Sequence, residues 1–439
     1  MNDEQAVEAL QALIRIPTVS DRDPEKIDTE VFDALLVEMA GRFPRVHAEL
    51  ELTRIDTHGL LFKWAGKSVA KPVVLMAHLD VVPVEGEWQH PAFSGDIVDG
   101  NLWGRGTLDD KGQVAAVCVA VERLLSEGFT PTQDVWLSFG CNEEVSGTSA
   151  QLTVEELRSR GVKPWFVMDE GGAVASEAFP GVKAPIGVVG VTEKGVTSLL
   201  LKVSGRGGHA STPAKNGPTA RIAKAITRLD TSPMSASVPG PTVELFKRMA
   251  KQAPLPLKPL MANAERLKPV LTRALIAAGP ESAAMTRTTF AITTLQGSPA
   301  LNVIAATATA GVNIRIMVGD TVASVLQHVR ETIKDDEIDI EVVEQNEPSP
   351  ISPMDDAFEL IESTITEVFP DAVASPYVMM AATDSRFFTA ISDRVYRFAP
   401  FRMTKAQREA IHSYDEHIGV DAFLDGARWY RRLIERLPA

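Results

Sequence analysis

Val73-Val74-Leu75-Met76-Ala77-His78-Leu79-Asp80 is the stretch that decides the fold: an apolar run that ends in a histidine and, two positions on, an aspartate. A short continuous apolar run rich in branched side chains predicts a strand buried on both faces of a sheet. Two further runs behave alike. Val135-Trp136-Leu137-Ser138-Phe139 leads, four residues on, to Glu143-Glu144, and Trp165-Phe166-Val167-Met168 runs into Asp169. Open α/β sheets place their chemistry just beyond the carboxyl ends of their strands. These runs would therefore deliver an imidazole and several carboxylates to one sheet edge. With Asp109 and His412 added, the residue types are those of a two-metal hydrolase site.

Outward from these runs, residues 3–14 and 30–42 carry apolar positions at helical spacing, and 49–56 with 60–65 read as paired strands. Gly104-Arg105-Gly106-Thr107-Leu108-Asp109-Asp110-Lys111-Gly112 is a tight loop opening a helix that runs through about Ser126, with Val114, Val117, Val121, Leu124 and Leu125 on its buried side. Strands alternating with helices indicate a mostly parallel sheet in an α/β fold. The pattern changes after residue 193. Strands at 196–203 and 307–317, helices at 219–229 and 321–333, and a helical stretch at 245–285 broken by Pro254, Pro256 and Pro259 form an inserted α+β module. The expected organisation is a catalytic domain of 1–193 and 350–439 and a lid of 194–349. Asn346-Glu347-Pro348-Ser349-Pro350 would be the return linker, and helices at 355–368 and 420–437 complete the first domain.

Composition narrows the function. Lys plus Arg number 44 against 58 acids, a formal balance of −14, which argues against a nucleic-acid partner. No apolar run reaches the length of a membrane span. The acidic start Met1-Asn2-Asp3-Glu4-Gln5 lacks the features of a signal peptide, and the two cysteines, Cys118 and Cys141, are too few for a disulfide framework. A cytoplasmic protein with buried thiols is the expectation.

Met76-Ala77-His78-Leu79-Asp80-Val81-Val82-Pro83, Gly104-Arg105-Gly106 with Asp109-Asp110-Lys111-Gly112, Asn142-Glu143-Glu144, and His412-Ser413 with Asp415-Glu416 resemble the M20 family of metallopeptidases. Trp88, Pro91 and Phe93, Thr383-Asp384-Ser385-Arg386 and Tyr396-Arg397-Phe398 resemble its carboxypeptidase S and N-acyl-amino-acid hydrolase branch. The resemblance implies two divalent metal ions, Zn foremost with Mn or Co admissible. His78 and Asp169 would serve one ion, Glu144 and His412 the other, and Asp109 would bridge them. Glu143 would be the general acid/base, and the Asp109–Asp110 peptide is often cis in relatives. Asp80, two residues after His78 on a strand-like backbone, would accept the second ring N–H of His78. The resemblance also implies that His209 donates to the oxyanion, reaching a partner subunit's site in dimeric relatives, and that Asn302 and Arg315 bind the substrate carboxylate, with Arg386 a second candidate.

His47, His58, His90, His328 and His417 read as locally paired or solvated groups, and Asp110 and Asp384 as loop hydrogen-bonders. Two positions depart from the family pattern. Met380-Ala381-Ala382 stands where relatives carry Gly-Gly, and Ala305 replaces the proline of the lid motif. The expected activity is hydrolysis of an amide bond in a small peptide or N-acyl amino acid with a free carboxylate, by a homodimer joined through the lid. Competing readings are an aminopeptidase working from the free amine and a non-catalytic metal-dependent binding protein.

Overall fold

The computed structural model describes residues 1–179, 182–255 and 257–439, so Pro256 lies outside the described residues. The strand Ser68–His78 sits inside a ten-stranded sheet. It pairs in parallel with Gln133–Gly140 on one side and Phe166–Asp169 on the other, and Val395–Arg397 extends the parallel centre. Antiparallel pairs flank that centre, Gly59–Trp64 with Glu51–Ile55 at one margin and Ala173–Ala175 with Ile186–Glu193 at the other. Period-two alternation divides the buried run between two cores. Val73 and Leu75 pack with Val117, Val121 and Leu137, whereas Val74 and Met76 pack with Trp136, Val154 and Leu157. Burying each such branched side chain contributes about 1.5–3 kcal/mol.

Helix Lys111–Ser126 is buried over nearly its whole length, and Val420–Glu435 lies against it, burying Phe423, Trp429, Tyr430 and Leu433. Helix Asp3–Ile14 begins in a capping box formed by Asn2 and Gln5 and sends Leu10, Leu13 and Ile14 into the same core. Helix Ser149–Ser159 and the 3₁₀ turn Asp384–Ala390 cover the opposite face. The fold is thus α/β with a large central sheet, as the apolar runs predict.

A separate four-stranded antiparallel sheet runs in the order Thr289–Gln296, Thr307–Ile316, Gly195–Ser204, Asp339–Asn346. Helices Pro218–Thr231 and Val322–Ile333 bury Ile222, Leu229, Val325 and Val329 against its Leu199, Leu201, Ala310 and Val312. The sequence pattern predicts two of these strands, those at 196–203 and 307–317; the other two are the exposed edges. The helices between Gly240 and Ala284 fall inside the segment read as the lid, yet their core includes Ile186 of the large sheet, with Val188 and Tyr377 packed against it. Arg248 fastens them there through Glu362 (2.6 Å) and the Ala374 carbonyl (3.2 Å). The chain leaves the large sheet after Glu193 and returns near Ser349. These crossings are stitched together by Thr192 Oγ1 donating to the Ser349 carbonyl (2.6 Å) and the Glu193 amide donating to Ser349 Oγ (2.9 Å). Among the described residues no helix is long and apolar enough to cross a membrane.

Candidate metal centre

Acidic and imidazole groups from separate elements converge at the carboxyl edge of the parallel strands. His78 ends its strand, Glu143-Glu144 lie just beyond Gly140, and Glu170 follows Asp169. Asp109 stands in the turn before helix Lys111–Ser126, and its peptide bond to Asp110 is cis. His412 arrives from the loop after helix Lys405–Ala410 in a left-handed conformation, φ 58°. Asp109 joins the two imidazoles. Its Oδ1 lies 2.9 Å from His78 Nε2 and its Oδ2 2.9 Å from His412 Nε2. Glu144 Oε2 is 3.0 Å from His412 Nε2, and Glu170 Oε1 is 3.6 Å from His78 Nε2.

Backbone groups hold this cluster in place. His78 Nδ1 faces the Asp80 carbonyl at 3.0 Å, while the Asp80 carboxylate is farther, at 3.4 Å. The carboxylate expected to orient the ring thus stands at that nitrogen, with a nearer carbonyl beside it. With Nδ1 donating there, Nε2 is directed at the acids, where it donates to Asp109 until a cation displaces its proton. The Asp80 carboxylate instead accepts the amides of Glu143 and Glu144, each at 3.1 Å, and the hydroxyl of Ser20 at 2.7 Å. It therefore sets the turn on which both glutamates stand.

Asp169, expected as a ligand beside His78, turns Oδ2 to the Ser385 amide at 2.9 Å, and the close approach to His78 belongs to its neighbour Glu170. Ligand atoms of His78, Asp109 and Glu144 lie within 4.8 Å of one another, as do those of His78, Asp110 and Glu170. The signal for Glu170 was present in Asp169-Glu170, since adjacent carboxylates face different partners, Asp169 the Ser385 amide and Glu170 the His78 ring.

Electrostatics match a site built for cations. Burial pushes the Glu143 carboxyl well above the usual range, and burial together with the charge of Asp109 takes Glu170 to about 8. Burial also takes Asp384 to about 7. Burial would likewise raise Asp109, but hydrogen bonds from His412 and His78 overcome it and hold its carboxyl well below the usual range. Asp109 and then Glu144 raise the half-exposed His412 to about 10. Asp110 Oδ1 and Asp384 Oδ1 are buried without a hydrogen-bond donor. Mixed imidazole and carboxylate donors, with buried carboxylate oxygens left over, fit two divalent cations.

Among the described residues His209, Asn302 and Arg315 make no hydrogen bond or ion pair to this cluster, whereas the charge of Arg386 reaches Asp384. His209 is exposed and pairs through Nδ1 with Ser211 Oγ at 2.8 Å. Asn302 is beside it, its carbonyl accepting the Ala210 amide, just before the strand Val303–Ile304 that pairs with Gly208–His209. Arg315, on the smaller sheet, forms no ion pair among the described residues, and its charge together with burial lowers Lys194 to about 8. Arg386 donates to the Thr383 carbonyl (2.9 Å) and lies over the Phe387 ring. His47, His328 and His417 face nearby backbone carbonyls and His58 lies 3.3 Å from Asp33. Both cysteines are free and buried.

The model of peptidase family M20/M25/M40 matches residues 74–436. The chain is 36% identical over 442 residues to the N-fatty-acyl-amino acid synthase/hydrolase of Xenopus tropicalis, covering 98% of this chain and 86% of that protein. It is 34% identical over 401 residues to the probable carboxypeptidase S-like 2 of Dictyostelium discoideum, covering 90% and 77%. Its fold matches the M20 family metallo-carboxypeptidase of Sulfolobus solfataricus with a TM-score of 0.74 at 16% identity, over 98% of both chains.

Cations bind neutral imidazole, so loading the centre must displace the proton that His412 keeps up to about pH 10. Metal affinity should therefore rise with pH across the neutral and mildly alkaline range. Calorimetric Zn²⁺ titration at pH 8 in two buffers of different ionisation heat should show about one more proton released by the wild type than by His412→Ala. Equal proton release from the two proteins would refute the assignment.

Proposed function

Starting from the family to which the chain belongs, peptidase family M20/M25/M40, we propose that this amide-bond hydrolase cleaves N-acyl amino acids or small peptides bearing a free carboxylate, at two divalent cations of which zinc is foremost. The observation that carries this reading is Asp109, one oxygen on each of two imidazoles, with the half-buried Glu143 close enough to feel the charge of His78. The names of the curated relatives, a carboxypeptidase S-like protein and an N-fatty-acyl-amino acid synthase/hydrolase, support the substrate class. Asp109 would hold both cations, with His78 and Glu170 on one side and His412 and Glu144 on the other. Glu170 takes the place expected of Asp169 because Asp169 is already committed to the Ser385 amide. When bound, the cations supply Lewis acidity toward the scissile carbonyl and lower the pKa of water.

The chain's own groups account for the proton. Glu143, carried on the turn that Asp80 fixes, accepts a proton from the attacking water and delivers it to the amine nitrogen as the C–N bond breaks. Residues 194–349, taken as a lid, would bring a guanidinium, Arg315, and the Asn302 amide to the substrate carboxylate, with Arg386 on the large-sheet side. His209 would donate to the developing oxyanion, a contribution of about 3–4 kcal/mol. Its exposure and purely local pairing support a role in trans, in a homodimer joined through the lid. The free buried cysteines support a reducing, cytoplasmic setting.

A panel of N-acyl amino acids, the matching C-terminal amides and free dipeptides tests the substrate reading. The acids should be cleaved and the amides lose at least about tenfold in kcat/KM, roughly the weight of a charge-assisted contact; equal cleavage of both would overturn it. Glu143→Gln should abolish turnover with two ions still bound, measured by elemental analysis, and wild-type kcat in that variant would exclude the proton role. Glu170→Ala should lose one ion while Asp169→Asn keeps both. The opposite result would return the ligand role to Asp169.

A further inference from the structure

We propose that Arg105 and Glu416 are a positioning pair that sets the Asp109 loop and the His412 loop in register, and so governs binding of the cation placed between Asp109, Glu144 and His412. The inference rests on the two-cation reading of that centre, but not on its substrate.

Glu416 is fully buried, and its carboxylate is used almost entirely on the backbone that carries Asp109. Oε1 accepts the amides of Leu108 at 2.8 Å and Asp109 at 3.2 Å, and the Gly106 amide lies 3.1 Å from both oxygens. Oε2 accepts Arg105 Nη1 at 2.7 Å. The other arm of the same guanidinium, Nη2, donates to the Ser413 carbonyl at 2.8 Å, one residue after His412. The Gly104 amide closes the connection by donating to the Glu416 carbonyl at 2.9 Å. Each charged group therefore touches both loops, across more than three hundred residues of sequence.

The loops need such a tie. His412 and Asp415 are both left-handed, at φ 58° and 61°, a conformation that costs non-glycine residues free energy unless their surroundings impose it. His412 is also half exposed, so packing does not fix it. A buried ion pair adds little net stability over an apolar pair of equal volume, but its directional bonds select one arrangement. A lysine at 105 would keep the charge yet could not span Glu416 and Ser413 with a fixed fork. A glutamine at 416 would turn an NH₂ toward amide donors.

The test is Zn²⁺ uptake by chelator-stripped protein against a competing chromophoric chelator, for wild type, Arg105→Lys, Glu416→Gln, His412→Ala and the Arg105→Lys/His412→Ala double variant. Arg105→Lys and Glu416→Gln should bind the first ion with wild-type affinity and the second about tenfold or more weakly. On the His412→Ala background, which already lacks the second place, Arg105→Lys should change nothing further. Equal weakening of both ions, a further loss on that background, or unchanged affinities would each overturn the proposal. Hydrogen exchange on the wild type needs no variant. Peptides covering 104–110 and 412–417 should gain protection together as the second equivalent binds; protection of one segment without the other would overturn it. A wild type that takes up a single ion would overturn this inference and the two-cation reading together, whereas failure to cleave any substrate bears on the substrate reading alone.

Discussion

One carboxylate lies between two imidazoles, and the demands of that placement shape everything near it. Asp109 reaches His78 with one oxygen and His412 with the other. Asp110, Asp169 and Asp384, all buried, and the half-buried Glu143, Glu144 and Glu170 crowd the same strand edge. Two imidazoles cannot neutralise so many acids, and an unpaired buried carboxylate escapes its desolvation cost by holding its proton. The raised carboxyls of Glu143, Glu170 and Asp384 are that response. These acids and imidazoles would hold a pair of divalent cations in place of those protons, the acids ionised and the rings neutral.

The scaffold places these acids without surrounding them with basic side chains. Among the described residues no lysine or arginine pairs with Asp109, Glu143, Glu144 or Glu170. Backbone amides do the holding: those of Glu143 and Glu144 on Asp80, that of Ser385 on Asp169, those of Leu108 and Asp109 on Glu416. Even Lys111, two residues from Asp109, points its ammonium away, to the carbonyls of Leu13 and Ile16. An amide orients a carboxylate by its dipole and leaves the carboxylate's charge for a metal. A lysine would compete for that charge.

What the sequence revealed and what it concealed follow from burial. The runs ending at His78, Phe139 and Met168 are buried on both faces, so their composition announced them and with them the edge where the chemistry sits. Thr289–Gln296 and Asp339–Asn346 are sheet edges with both faces largely exposed, and neither periodicity nor composition marks them. Ile186–Glu193 and Val373–Met379 carry glycine and proline, Gly187, Gly190 and Pro376, that read as interruptions. At the site, motif order points to His78, Asp109, Glu144 and His412, which the structure brings together, whereas it is silent on the Ser385 amide that turns the Asp169 carboxylate and leaves Glu170 the nearer acid to His78. A contact two hundred residues distant is not written locally.

The same logic bears on how the two sheets cooperate. Glu193, the last residue before the crossing, accepts the Thr383 amide (3.1 Å) and the Arg397 Nε (3.2 Å), all three side chains buried. Thr383 opens the turn whose Ser385 amide holds Asp169. The Lys194 amide then donates to the Met379 carbonyl, so the crossing is fastened on both sides of the loop carrying Met380-Ala381-Ala382. Any swing of the smaller sheet must begin beyond Lys194, because the residues before it are locked into the large sheet. This fastening lies beside the acidic cluster, which it reaches through the Ser385 amide on Asp169. The groups around Asp109 thus keep a spacing set by backbone fastened within the large sheet, on the near side of that crossing.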